Sequence, residues 1–416
     1  MFENKRTGPI IESLMDTDFY KFTMGRVVFE RYHDVQVQYG LTNRTKTVRL
    51  GEHISLEQLR EELDHVRKLR FNNSELHYLR GTNEYSERMF PEAYLEHLKN
   101  LSLNECRIEE YERNIVLVPA GNWSTEIYWE TIVLPIIDQL YFESLTKNMS
   151  RFERETIYAE GQRRLLDKIR LIRQYPGLTF SDFGTRRRFS RKWQDYVVSV
   201  LAEELPGQFV GTSNVYLAMK YGLMPIGTSA HEMYMVLAGI MGETDEGLLT
   251  SHNKVLRDWW ETYGWGLSIA LTDTFGTDFF FRDMTEVQAG DYKGLRQDSG
   301  DPITFGEKAI SFYENYGIDP RGKLLVFSDG LDVEIMVNLY ERFKDRIRVT
   351  FGWGTNLTND LGFKALSLVI KAIRANGRGL VKLSDNIAKA IGDPKDIERY
   401  KRVFGNNVNF VKECRY

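Results

Sequence analysis

The residues best placed to do chemistry begin with His231, in the run Gly227-Thr228-Ser229-Ala230-His231-Glu232. It follows a short apolar segment, Leu223 to Ile226. A strand that ends in Gly-Thr and hands over to a helix at His-Glu sets an imidazole on a strand's C-terminal edge, where α/β enzymes gather their reactive groups. The chain has only seven histidines, and the others sit in contexts such as Asp64-His65-Val66 and Glu96-His97-Leu98, where a surface place on a helix suffices. A lone histidine is more often structural than catalytic, so the weight rests on its neighbours.

Arg186-Arg187-Arg188 follows Asp182-Phe183-Gly184-Thr185 and precedes a helical run. Basic residues at a helix start oppose the macrodipole, at about 1 kcal/mol each at most. An anion bound there would reverse that cost, because guanidinium and backbone N–H groups could both donate to it. A solvated charge run is the plainer alternative. Gly352-Trp353-Gly354-Thr355-Asn356 is a second candidate cradle, its glycines letting backbone N–H groups approach a phosphate, or else an ordinary turn. Together the two segments point to a ligand with more than one phosphate. Arg296, Asp298, Asp301 and Asp329 add mixed charge on the same edge. Acids there could bind ribose hydroxyls, hold Mg²⁺ through water, or steady positive charge on a sugar carbon. Asp301 also fits a helix N-cap ahead of Pro302.

These groups need a scaffold, and the stretch after Leu178 supplies one. Short apolar runs alternate with helical patterns, the signature of βα units and a largely parallel sheet. The strand candidates end in Asp182-Phe183-Gly184, Gly211-Thr212-Ser213, Gly227-Thr228, Thr272-Asp273, Arg296 to Gly300, Phe327 to Gly330 and Phe351 to Gly354. The spacing predicts helices over Arg191 to Glu204, Glu232 to Met241, Pro302 to Tyr316 and Leu331 to Phe343. So many polar strand ends imply one continuous site on the C-terminal face of a barrel or wound sheet.

Ahead of this lies a mixed, helix-rich region. Ser55-Leu56-Glu57-Gln58 reads as a capping box opening the amphipathic run Leu56, Leu59, Leu63, Val66, Leu69. Short helices are expected over Ser74 to Leu79 and Pro91 to Leu101, and strands near Val35 to Leu41 and Asn114 to Val118. Long helical stretches run from Glu130 to Leu145 and from Arg151 to Gln174, closed by Tyr175-Pro176-Gly177. After Asp360 two apolar runs, Leu366 to Ile373 and Gly379 to Leu383, join through the turn signal Asn376-Gly377, so the tail is expected to leave the barrel.

Composition narrows the classes. The chain has 416 residues and an apolar fraction of 42%, enough for two or three domains' worth of core. A net charge of −4, from 55 basic and 59 acidic residues, gives no bulk attraction for nucleic acid. Two cysteines, Cys106 and Cys414, in no paired spacing argue against a disulfide scaffold or zinc site and for a reducing compartment. No apolar segment follows Met1-Phe2-Glu3-Asn4-Lys5-Arg6, and the aliphatic stretch Thr131 to Leu140 is broken by Pro135 and Asp138. A cytoplasmic protein without nucleic-acid or membrane partners is expected.

Seven runs in order carry a family pattern: Asp16-Thr17-Asp18-Phe19-Tyr20-Lys21, Asp182 to Arg188, Gly211-Thr212-Ser213-Asn214, Gly227 to Glu232, Asp298-Ser299-Gly300-Asp301-Pro302, Phe351 to Thr355, and Lys382-Leu383-Ser384-Asp385. Over nearly its full length the chain resembles nicotinate phosphoribosyltransferases. The resemblance implies an α/β fold: an irregular, TIM-like α/β barrel over residues 141–360 with an N-terminal α/β domain over 1–140, completed by the C-terminal segment 361–416. It implies transfer of phosphoribosyl from phosphoribosyl pyrophosphate (PRPP) to nicotinate, giving nicotinate mononucleotide and pyrophosphate, coupled to ATP hydrolysis with Mg²⁺. No dedicated metal-ligand cluster is visible.

The same resemblance makes His231 a transient phosphoryl acceptor, a role a neutral imidazole can fill near pH 7, with Glu232 or a nearby carbonyl to orient it. It puts Phe183 against the pyridine ring, with Tyr20 of the partner subunit on the other face, so a homodimer with its site at the interface is expected. Thr228 and Arg296 would hold the nicotinate carboxylate and ring. Arg186, Gly354 and Thr355 would bind PRPP phosphates, and Asp298 and Asp329 would face the ribose. Related nicotinamide-using enzymes carry Asp where this chain has Ser213; an anion there would repel a carboxylate, so Ser213 favours nicotinate. Trp353 departs from the smaller residue expected between those glycines, and its ring could reshape the phosphate loop. Three alternatives remain open: a nicotinamide phosphoribosyltransferase; a sugar-phosphate lyase or isomerase, which would want a lysine or glutamate base at a strand end; and a silent nucleotide sensor, which would be expected to lose His231 or Arg296.

Overall fold

The alternating segments after Leu178 form a seven-stranded sheet with every neighbouring pair parallel. In spatial order its strands are Ile269–Leu271, Gly294–Gln297, Leu324–Phe327, Arg348–Trp353, Phe180–Asp182, Phe209–Thr212 and Met224–Pro225. This computed structural model describes residue 6 and residues 8–84 and 87–412. The Met1 to Lys5 run and Cys414 lie outside the described residues. All seven expected strands are present, although the one expected to end in Gly227-Thr228 stops at Pro225.

The strands pack through stacked aromatics. Phe327 and Phe351 rings lie 6.0 Å apart, and Phe180 meets Trp353 edge-on at 5.7 Å. Each such pair adds about 1 kcal/mol beyond the area it buries. The sheet curls until its two edges nearly meet: Thr228 Oγ1, just past one edge strand, lies 3.5 Å from the Ile269 carbonyl on the other.

Local rules set most helix limits. Ser190 caps Arg191–Glu204 through the Trp193 N–H, and Asp301 caps Pro302–Asn315, where Pro302 sits with no N–H to lose. Asp301 thus has a capping role and lies outside the cavity described below. Ser150 and Glu153 close a capping box on Arg151–Ile172. The box read at Ser55 does not form, since Ser55 makes no side-chain cap bond, whereas Asn72 and Glu75 make one ahead of Asn73–Gly81. Trp129–Thr146 tolerates Pro135 inside its span and is buried along most of its length. Among the described residues no helix is long and apolar enough to cross a membrane.

The tail does leave the parallel sheet. Leu368–Ala375 pairs antiparallel with Gln36–Asn43, with Val37 opposite Ala375 and Asn43 opposite Leu368. The hairpin to Arg378–Gly379 turns through Asn376 and Gly377 at φ +45° and +80°, the left-handed conformation those residue types tolerate. This pairing carries Lys371, Lys382 and Lys389 back over the parallel sheet's C-terminal edge.

Candidate active site

His231 opens the helix His231–Met241 and is buried. Its Nε2 lies 2.8 Å from Asp298 Oδ2, and its Nδ1 lies 2.9 Å from Thr274 Oγ1. An ionised carboxylate can only accept, so Nε2 carries the proton and the Nδ1 lone pair takes the Thr274 hydroxyl. Burial and the Lys382 ammonium hold the imidazole down at about 4, against the pull of Asp273 and Asp298. Burial works to raise Asp298, but its bond to His231 and the charges of Lys389 and Lys382 keep it well below the usual carboxylate range. The pair is a neutral imidazole beside a carboxylate. Asp273 Oδ1 stands 3.9 Å from the same Nε2, while its Oδ2 takes the Ser299 hydroxyl. Glu232 does not orient the histidine. It is tied to Lys21, Tyr39 and Trp123 at 2.6–2.7 Å, and Asp298 and Thr274 do the orienting.

Tyr20 and Phe183 line one cavity of the same chain. This corrects the expectation that Tyr20 comes from a partner. The bridge between Asp18 and Asn214, with Phe19 N–H bonded to the Ser213 carbonyl at 2.7 Å, seats the N-terminal run on its own sheet edge. The Tyr20 hydroxyl donates to Glu130 at 3.3 Å, and the Arg186 guanidinium lies 5.5 Å from its ring centre. Phe183 lies against Gly352, where an added Cβ would sit 2.3 Å from the phenyl ring, so only glycine leaves room for it. Arg296 lines the same cavity and its buried Nε has no hydrogen-bond partner among the described residues.

Two expected contacts are redirected. Thr228 is not among the cavity-lining residues; its hydroxyl turns to Ile269, and Ile226 and Gly227 face the cavity instead. Ser213 lines the cavity but its hydroxyl donates to Asp18 at 2.6 Å. A carboxyl group therefore already stands at that spot, its pKa raised by burial against the pull of Arg186, whose Nε lies 3.1 Å from Asp18, so Ser213 alone does not set the charge there.

On the phosphate side, the arginine triplet divides. Arg186 and Arg187 face the cavity, while Arg188 is buried in a bidentate pair with Asp16 at 2.6 and 2.8 Å and serves the fold. Gly352, Gly354, Thr355 and Asn356 line the opposite wall. Trp353 points away: its ring is buried against Phe180 and under Lys168 Nζ at 5.4 Å, so it does not reshape the loop's inner face. Asp329 lines the cavity and is paired to Lys389, which also donates to the Asp298 carbonyl at 2.8 Å.

The tail lysines were not anticipated as a group. Lys382 belongs to one of the family-pattern runs, but Lys371 and Lys389 carry no local signal: the pairing of Leu368–Ala375 with Gln36–Asn43 brings in Lys371, and the Lys382–Ile391 bridge that follows folds back the segment carrying Lys389. Glu130 was also missed. It is fully buried and gathers Lys21 and Lys371 at 2.8 Å and Arg186 at 3.4 Å. Their charges overcome burial and hold it well below the usual range. The surface placement read for the remaining histidines fails for His252, which is buried with Nδ1 2.6 Å from Asp283.

The cavity's residues fall within two stretches that match known family patterns. Residues 15–138 match the nicotinate phosphoribosyltransferase (NAPRTase) N-terminal domain, and residues 178–408 match the nicotinate phosphoribosyltransferase (NAPRTase) family. The chain belongs to the nicotinate phosphoribosyltransferase family. It is similar to the crystal structure of nicotinate phosphoribosyltransferase from Vibrio cholerae, at 31% identity and TM-score 0.86, covering 97% of this chain and 96% of that one. It is also similar to that from Porphyromonas gingivalis, at 30% identity and TM-score 0.84, covering 95% of this chain and all of the other. In this family member the N-terminal stretch brings Asp18, Tyr20 and Arg44 to the cavity, and the longer stretch brings His231, Arg296, Asp298 and the tail lysines.

Proposed function

We propose that this chain transfers phosphoribosyl from PRPP to nicotinate, giving nicotinate mononucleotide and pyrophosphate, and that ATP drives the reaction through transient phosphorylation of His231. The observation that carries this reading is the charge of the cavity. Seven lysines and arginines line it against three aspartates, although the whole chain is net negative at −4. Such a cavity suits a polyanion with a separate carboxylate.

Arg296 has a free buried donor for the nicotinate carboxylate, and Phe183 and Tyr20 offer two rings for its pyridine. Arg186, with the wall of Gly354 and Thr355, faces the PRPP phosphates, and Arg44 and the tail lysines add charge for the leaving pyrophosphate. The pyridine nitrogen attacks the anomeric carbon as the bond to pyrophosphate breaks. Positive charge that develops on the sugar is steadied by Asp298 and Asp329.

In the coupled step the γ-phosphoryl of ATP passes to His231 Nδ1, since Nε2 is committed to Asp298. The Thr274 hydroxyl must turn away as the N–P bond forms and ADP leaves; water later takes the phosphoryl as inorganic phosphate. Mg²⁺ enters on the phosphates of ATP and PRPP. The group of His231, Asp273 and Asp298, with ligand atoms within 4.8 Å of one another, does not suit a resident Mg²⁺. Its imidazole already donates to Asp298, Lys382 stands 3.7 Å from Asp273, and Mg²⁺ takes oxygen ligands.

The curled sheet, with its edges drawn together at Thr228, supports an incomplete TIM-like barrel. A cytoplasmic setting fits the free, buried Cys106. A homodimer rests on the resemblance alone, because Tyr20 reaches the cavity of its own chain. The lysine that a lyase reading wanted at a strand end is absent there; the cavity's lysines come from the tail, paired or buried beside carboxylates. The test is product formation from PRPP and Mg²⁺ with nicotinate or nicotinamide, each with and without ATP. Nicotinate mononucleotide made faster with ATP, alongside ADP, is the expected result. Nicotinamide as the better base would overturn the substrate, and no ATP effect would overturn the coupling.

A further inference from the structure

Helix Arg151–Ile172 lies outside the cavity, yet one of its side chains reaches the back of the glycine loop. Lys168 Nζ donates to the Asn356 carbonyl at 2.5 Å and to Asp360 Oδ2 at 2.7 Å, and lies 5.4 Å from the Trp353 ring centre. Asp360 is gripped a second time by Arg164, also at 2.5 Å. From the other side Asn356 Nδ2 donates to the Leu331 carbonyl at 2.8 Å, tying the loop to the segment after Asp329. Lys168 is mostly buried, with 13% of its side chain exposed, and is not a cavity-lining residue.

Gly352 and Trp353 end the strand Arg348–Trp353, paired with Ser181 and Asp182, and beyond Gly354 only one short turn of helix, Thr355–Thr358, continues the wall, so the stretch from Gly354 to Asn356 leans on side-chain anchors as well as on that turn. Its inner face lines the cavity. What holds the outer face therefore sets where the inner face stands. We infer that Lys168 is a positioning residue for PRPP: from behind, it locks the peptide plane at Asn356 and the indole of Trp353, so that Gly354 and Thr355 stand at the distance the PRPP phosphates require. This also accounts for the tryptophan, whose flat ring lies against the ammonium that anchors the loop. The inference rests on the phosphate role proposed above for Gly354 and Thr355.

The test is steady-state kinetics of the full chain, with PRPP and nicotinate varied in turn, for the parent, Lys168→Met, Lys168→Arg and Asp360→Asn. The KM for PRPP should rise about tenfold in Lys168→Met, with kcat and the nicotinate KM within about twofold of the parent. Lys168→Arg, which keeps the charge and donors, should recover most of that loss, and Asp360→Asn should move PRPP in the same direction. An unchanged PRPP KM in a folded Lys168→Met would overturn the inference, as would equal losses toward both substrates. Should Lys168→Met fail to fold, Asp360→Asn decides by the same split. A parent with no PRPP-dependent turnover would overturn the functional reading, and this inference with it; a parent that turns over normally isolates the failure to Lys168.

Discussion

His231 Nε2 and Asp298 Oδ2 stand 2.8 Å apart, and that contact leaves the ring's lone pair on Nδ1, where it takes the Thr274 hydroxyl. With Nε2 donating, Nδ1 would be the nucleophile of the proposed phosphoryl transfer, and replacing the two partners should have different effects. His231→Ala is expected to abolish ATP stimulation and ADP release while leaving some PRPP-dependent turnover. Asp298→Asn, which also loses the charge facing the sugar, should cut kcat by about 10² to 10³ with or without ATP. Full ATP stimulation in His231→Ala would refute the assigned role.

The imidazole is held at about 4, so it stays neutral far below the ordinary histidine range. ADP release at saturating substrates should therefore remain level from pH 8 down to about pH 6, where an unperturbed imidazole of pKa about 6.5 would already be mostly protonated. A half-loss centred near pH 6.5 would mean that His231 titrates normally.

Tyr20 and Phe183 share one chain's cavity, which gives a complementation test. Tyr20→Ala and Phe183→Ala chains, each impaired, should stay impaired when mixed and refolded together. Recovery of activity in the mixture would show that Tyr20 crosses to a partner.

Arg296 holds the unpaired donor of the base pocket. Arg296→Gln should raise the nicotinate KM by roughly 10 to 100-fold, with a far smaller change in the PRPP KM, the pattern of a lost carboxylate contact. Equal losses for both substrates would place the guanidinium on the phosphates instead. Ser213→Asp is a less clean test of base choice than its position in the sequence suggests. The new carboxylate would meet Asp18, which now accepts from Ser213 at 2.6 Å, so use of both bases should fall rather than switch.

Burial raises Glu126 to about 7, against the pull of hydrogen-bonding groups of Asn104 and Trp129. Burial also lifts Asp182 and Asp385 to about 6. Raised acids take up protons on folding, so between their unfolded values near 4 and these folded values their contribution weakens as pH rises. His231 acts oppositely: its folded value is depressed, and its contribution weakens as pH falls from about 6.5 toward 4. The carboxyls outnumber it, so the Tm of the free enzyme should climb as pH drops from about 7 to 5. Glu126→Gln should be more stable than the parent above pH 7, by up to about 3 kcal/mol, and lose that advantage by pH 4.5. A Tm that falls steadily below pH 7, with Glu126→Gln tracking the parent, would refute this balance.

Sequence alone determined the elements and the strand edge that carries the chemistry. Short apolar runs and helical patterns placed seven strands and their helices, because strands covered on both faces read as apolar runs and helices as apolar stripes, and Asp301 announced its cap through the proline beside it. His231, Arg296 and Asp298 were legible because polar residues at the ends of apolar strands have few structural uses. Only the tertiary structure decided what each side chain faces. Glu232 turned to Lys21 rather than His231, Thr228 turned to Ile269, Ser213 gave its hydroxyl to Asp18, and Arg188 left its neighbours to pair with Asp16. Tyr20 joined its own chain's cavity, and Lys371 and Lys389 came from far along the tail, the first through an antiparallel pairing and the second through the segment folded back beyond it. These outcomes depend on contacts across forty residues or more, where the partner of a buried charge is chosen by proximity in space and leaves no mark in local spacing.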